Sequence, residues 1–175
     1  MCGIVGLFFK DKSLEPQLGE MLTDMLITMT DRGPDSAGIA IYGKEVNKRS
    51  KLTVQSDTSD ADFATLAEEL GSAIKTDVSL IRKDTHAVLN IPSASVTAAR
   101  VALNDLRPGL RTMSSGETIE IYKEVGLPRH VASRFDIRKM SGSHGIGHTR
   151  MATESAVTTM GAHPFSTGSD QCLVH

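Results

Sequence analysis

The chain has 175 residues, a formal net charge of -2, 39% hydrophobic and 23% charged residues, which suits one domain that buries roughly two thirds of its unfolded surface. A near-neutral balance with Arg and Lys spread along the chain argues against a nucleic-acid or membrane-surface partner. Two cysteines, Cys2 and Cys172, are too few for a disulfide scaffold and fit a reducing, cytoplasmic setting.

The first apolar run, Ile4 to Phe9, reads as a strand. It is short, lacks basic residues ahead of it and meets Lys10-Asp11-Lys12, so it makes a poor signal peptide, and nothing approaches a membrane span. Leu14, Leu18, Met21, Leu22, Met25, Leu26 and Met29 then fall at helical spacing, with Ser13 as N-cap and Pro16 in the first turn. The helix stops at the turn formers of Thr30 to Gly38. Ile39 to Tyr42 reads as a strand, and Lys51 to Gln55 as a second that pairs with it across the polar link Gly43 to Ser50. Asp60 to Ile74 is a helix by its apolar face, Val78 to Ile81 and Ala87 to Ile91 are strands, and Ser95 to Leu106 is a helix stopped by Pro108-Gly109. Thr118 to Val125 alternates like a strand, Pro128 to Ile137 suggests a short helix, and His144 to Met151 and Gln171 to Val174 return to strand character. Without tryptophan, the core must be aliphatic and methionine-rich. Helices packed on sheets in an α+β fold are the expected architecture.

The chemistry concentrates at the start, Met1-Cys2-Gly3-Ile4-Val5-Gly6. Trimming of the initiator methionine, favoured by a small second residue, makes Cys2 the first residue. Its thiol then attacks while its own α-amine, of ordinary pKa roughly 8, takes and returns protons. Gly3 lets backbone approach a substrate closely, and the apolar strand holds the nucleophile still. An ordinary buried cysteine on an N-terminal strand is the alternative. His144 and His148 have the spacing of a helical metal pair, but Gly145 and Gly147 oppose a helix and no third ligand is evident, so no metal is expected. No Gly-rich phosphate loop is present, and no cofactor is implied.

Three segments together, Cys2 to Gly6, Arg32-Gly33-Pro34-Asp35-Ser36-Ala37-Gly38, and Gly147-His148-Thr149-Arg150-Met151-Ala152-Thr153 followed by Ala162-His163-Pro164-Phe165, resemble the class II, or N-terminal nucleophile, glutamine amidotransferases. The resemblance implies an Ntn-hydrolase four-layer αββα sandwich in which glutamine is hydrolysed through a Cys2 thioester without a histidine base, and the ammonia passes to a partner synthase. It implies Arg150 as the grip on the substrate α-carboxylate, suited to two parallel charge-assisted bonds, with Thr153 as a second carboxylate contact. Arg32 and Asp35 are expected to shape the turn and support the nucleophile, with His148 and His163 structural or supporting the site from behind its contacting residues, and Cys172 an inert core thiol. Met151 stands where many relatives carry tryptophan and Glu154 where some carry histidine.

The long stretch at about 43–142, atypical for the family, looks most like stand-alone amidotransferase subunits that accompany glutamate-synthase-like and N-methylglutamate-synthase-like proteins. Its length alone suggests a docking role. The family's oxyanion Asn-Gly and its amino-group aspartate would lie beyond His175, so residues 1–175 are expected to be an amino-terminal fragment of the amidotransferase domain, inactive alone and incompletely folded. An Ntn amidohydrolase for another amide, or a non-catalytic module that binds glutamine or a partner, are the competing readings. The carboxylate grip of Arg150 separates the first from an amidotransferase, and a retained Met1 would favour the second.

Overall fold

The computed structural model describes residues 2–153 and 156–175. Strand β1 (Gly3–Phe8) leads into helix α1 (Leu18–Thr28), and β2 (Ser36–Tyr42), β7 (Ile119–Val125) and β8 (His144–Arg150) complete an antiparallel sheet in the order β1-β8-β2-β7. A second antiparallel sheet is built from β3 (Arg49–Gln55), β4 (Ser79–Lys83), β5 (His86–Pro92) and β6 (Arg111–Gly116), ordered β4-β5-β3-β6. Helices α2 (Ser59–Phe63) and α3 (Leu66–Ile74) connect β3 to β4, and α4 (Val96–Leu106) connects β5 to β6. Residues 49–116 therefore form a β-α-β-β-α-β layer with interleaved strands, a split βαβ arrangement. A short helix α5 (Pro128–Arg134) follows β7, and β9 (Phe165–Gly168) pairs with β10 (Gln171–Leu173) near the end of the chain.

Strand alternation gives the first sheet two different faces. Val5, Ala37, Ile39, Ile41 and Tyr122 meet Leu18, Leu22 and Leu26 of α1 and Val131 and Phe135 of the α5 segment. The glycines of β8 admit this helix: a Cβ on Gly145 would stand 2.8 Å from a Leu22 methyl, and one on Gly147 2.9 Å from a Leu26 methyl. The opposite face carries Ala40, Ile119, Ile121, Tyr42 and Ile146, and the β9–β10 pair lies against it through Cys172. Leu52, Val54, Leu89 and Ile91 of the second sheet pack on Leu66, Leu70, Ala99 and Leu103 of its helices.

The mixed helix and sheet content is compatible with the expected α+β class. Several local expectations are corrected. Asp11, not Ser13, caps the first turn by accepting the Ser13 N–H at 2.9 Å, and Lys12–Gln17 winds as a tighter 3₁₀ segment before α1 begins at Leu18. The polar link beyond Gly43 does not join a hairpin: both edges of β2 are taken by β7 and β8, so β3 enters the other sheet. The helix expected over 60–74 is split between α2 and α3, and α5 ends at Arg134 before a short 3₁₀ turn. Strands β6 and β9 were not anticipated, because neither Arg111-Thr112-Met113-Ser114-Ser115-Gly116 nor Phe165-Ser166-Thr167-Gly168 carries an apolar alternation. No described helix is long and apolar enough to cross a membrane.

The back of the second sheet meets the first at His86, which is fully buried with its ring 4.7 Å from Phe135 and 5.9 Å from Tyr122. Burial, then the charges of Lys123 and Arg134, with Asp84 opposing, push its pKa from 6.5 down to about 3. The unfolded chain takes up this proton near its ordinary pKa, whereas the folded chain refuses it until about pH 3. Stability from this site is therefore complete above the unfolded value and falls on acidification, by up to about 1.4 kcal/mol per pH unit between the two. Urea titrations on the mildly acidic side of neutrality should show this slope, and His86→Leu should flatten it.

Candidate active site

Cys2 is half-buried immediately ahead of β1, and the register that pairs Gly3 with Thr149 brings it level with Arg150 at the end of β8. This junction is tight. A Cβ on Gly3 would lie 2.8 Å from Thr149 Oγ1 and 3.0 Å from Met29 Cβ, so only glycine lets the backbone beside Cys2 settle between β8 and the end of α1. Thr149 Oγ1 in turn donates to the Met29 carbonyl at 3.2 Å.

The Arg32 to Asp35 turn closes over the same place. A Cβ on Gly33 would stand 2.5 Å from the Arg150 nitrogen, so turn and strand are in backbone contact. Asp35 binds both sides of Arg150: its N–H donates to the Arg150 carbonyl at 3.1 Å and its Oδ2 accepts the Ala152 N–H at 2.8 Å. Its own carbonyl accepts the Gly126 N–H at 2.8 Å, which ties β7 to the site. The side chain of Arg32 is exposed, and its Cβ would lie 3.3 Å from a Cβ on Gly3.

Arg150 is half-buried, with Nη1 donating to the Ala156 carbonyl at 3.4 Å and Gly161 packed beside the guanidinium. Thr153 is exposed and makes no side-chain hydrogen bond among the described residues. Glu154, one of the departures noted above, and Met1, whose removal would free the Cys2 amine, lie outside the described residues.

His148 faces the same side of the sheet as Arg150 but is fully buried. Its Nε2 is 3.0 Å from the His175 carbonyl, and its ring is 4.4 Å from that of His163. His163 touches Phe165 and His175 at 4.5 Å, and burial, then the charges around it, push its pKa down to about 4. Both rings are packed and, with burial lowering their pKa values, held neutral near pH 7. His144 and His148 are four residues apart on a strand, roughly 13 Å along its axis, too far to share a metal. Among the described residues no three His, Cys, Asp or Glu side chains are placed to hold one. Cys172 is half-buried rather than a core residue, and the Tyr42 hydroxyl donates to its sulfur at 3.5 Å.

Sequence reasoning passed over Lys123. It is buried, donates to the carbonyls of Ala162 at 2.8 Å and Met160 at 3.3 Å, and stands 4.4 Å from the centre of the Phe165 ring. Burial lowers its pKa to about 8. One signal was available: Ile119, Ile121, Lys123 and Val125 share a strand face, and a lysine in an apolar row needs buried partners. The same carbonyl-rich segment explains Gly38, where a Cβ would fall 2.0 Å from the His163 oxygen.

No family model matches the sequence. The whole chain is 62% identical to the glutamine amidotransferase-like protein GlxB of Rhizobium meliloti and spans 58% of that protein. It is 33% identical over 94% of its length to a putative glutamine amidotransferase of Methanothermobacter thermautotrophicus, of which it spans 56%. A shorter stretch, 36% of the chain, is 38% identical to 10% of a glutamine–fructose-6-phosphate aminotransferase of Streptococcus pyogenes. The chain thus spans less than three fifths of each of the first two relatives, both named as glutamine amidotransferases or proteins like them.

Proposed function

We propose that this chain carries the nucleophile and carboxylate grip of a class II glutamine amidotransferase, which hydrolyses L-glutamine to glutamate and ammonia. The observation that carries the reading is the junction of Cys2, Gly3, Thr149 and Arg150: the β1–β8 register brings half-buried Cys2 level with Arg150, beside a glycine that admits no side chain. The names of the full-chain relatives support glutamine as the substrate.

In this reading the Cys2 α-amine takes the thiol proton as the sulfur attacks the side-chain amide carbon, the C–N bond breaks, and nitrogen leaves as ammonia after receiving that proton from the α-ammonium. Water then attacks the glutamyl thioester, gives up a proton to that amine, and releases glutamate with the thiol restored. Arg150 holds the α-carboxylate, with Thr153 beside it. Gly3, Arg32, Asp35 and His148 support this pair, and a glutamate-synthase-like partner takes the ammonia. The chain's place in an αββα sandwich, with residues 43–142 as an insertion suited to docking that partner, belongs to the same proposal.

Intact mass of the full-length gene product before and after treatment with 6-diazo-5-oxo-norleucine, a glutamine-like electrophile, tests it. The expected result is loss of Met1 and one adduct on Cys2, prevented by excess glutamine. A retained methionine, or a processed protein that takes no adduct, would refute the proposal.

A further inference from the structure

On the second sheet's side of the molecule, a cavity of about 600 Å³ opens between that sheet and the β9–β10 pair. Hydroxyls dominate its wall: Ser50, Ser93, Thr112 and Ser115 from the second sheet and its turn, and Ser166 and Ser169 from the hairpin. The wall is fixed. Ser50 Oγ donates to Ser93 Oγ at 3.0 Å, the Asp170 N–H donates to the Ser115 carbonyl at 3.0 Å, and Ser115 bridges to Ser169. Asp170 also accepts the backbone N–H groups of Glu117, Thr118 and Ile119 at 2.7 to 3.0 Å, which locks the hairpin to the turn between β6 and β7.

Two opposite charges line this cavity without neutralising each other. Arg100 comes from α4 and Glu117 from the β6–β7 turn, and among the described residues neither side chain makes an ion pair or a hydrogen bond. That contrasts with Arg49, Arg82, Arg107, Arg111 and Arg134, each of which pairs with a carboxylate. Among the described residues Val96 is the only aliphatic side chain lining the cavity, so burial of apolar surface cannot be its purpose.

We propose that this cavity binds a small zwitterion of the α-amino-acid class, its carboxylate on the Arg100 guanidinium and its ammonium on the Glu117 carboxylate. Serine and threonine hydroxyls both donate and accept, so they serve the remaining polar atoms of such a ligand. The volume lies within the range of small-molecule sites and leaves room for a side chain and bridging water. This site is separate from Cys2 and does not depend on the proposed hydrolysis. The two regions share the hairpin, whose Ser166–Ser169 tip lines the cavity while Phe165 rests on His163.

Thermal shift and calorimetry with a panel of L-α-amino acids, each beside its deamino analogue, test the proposal on the whole protein. The expected result is that at least one amino acid raises Tm and its singly charged analogue does not. Arg100→Ala and Glu117→Gln should each weaken binding about tenfold or more, as expected for loss of a charged partner, while Arg150→Ala leaves it intact. Both substitutions are on solvent-accessible side chains, so the unliganded Tm should not move. The proposal is overturned if no amino acid binds, if the deamino analogues bind equally, or if binding survives Arg100→Ala and Glu117→Gln and is lost in Arg150→Ala.

Discussion

In the full-length gene product Cys2→Ala should abolish glutamine hydrolysis, lowering kcat by about 10⁴-fold or more while glutamine still binds, because on the proposed mechanism the substitution deletes the attacking atom and leaves the substrate grip in place. The backbone at this point is fixed by the Gly3 fit between Thr149 and Met29 and by pairing along β1, none of which involves the thiol. The side chain is half-buried, so its truncation should change stability by about 1 kcal/mol at most. Glutamate release measured beside a urea midpoint separates the outcomes. Lost turnover with an unchanged midpoint is the expected pair; retained turnover would place the nucleophile elsewhere. Neither His148 nor His163 offers a substitute, because both are buried, packed ring against ring and held neutral by desolvation.

Much of the candidate site was legible because its residues are constrained by local covalent geometry. Gly3, Gly33 and Asp35 lie in short segments where contact with neighbouring backbone dictates residue type, and such constraints leave a mark in sequence. Strands β2, β5, β7 and β8 announced themselves by apolar content or alternation. What stayed hidden depends on partners distant in sequence. Pairing of β3 with β5 and β6 rather than with β2 follows only from β2 having both edges occupied. β6 is a polar strand whose pairing with β3 gives it order, and Lys123 acquires meaning only when the carbonyls of Met160 and Ala162 reach it from nearly forty residues away. The β-α-β-β-α-β layer could have been read from the order of its elements had β6 been recognised, since the other parts were in hand.

Arg150→Ala should raise KM for glutamine by about 10² to 10⁴-fold, the loss expected for two charge-assisted hydrogen bonds of about 1.5–3 kcal/mol each. Arg150→Lys should recover only part of it, because an ammonium lacks the planar fork. The guanidinium acts from a strand end that Asp35 holds on both sides, through the Arg150 carbonyl and the Ala152 N–H. Asp35→Asn, which weakens the second of these bonds, should therefore raise KM in the same direction by a smaller factor. A structural role for Arg150 would also slow hydrolysis, so substrate choice must decide. A primary amide with the glutamine side chain but no α-carboxylate has nothing for the arginine to hold, and its kcat/KM should be the same in wild type and Arg150→Ala. Equal losses on both substrates would make Arg150 a scaffold residue and return the balance to an amidohydrolase of different specificity. A loss confined to glutamine would fix the guanidinium on the carboxylate and, with it, the direction in which the substrate lies across Cys2.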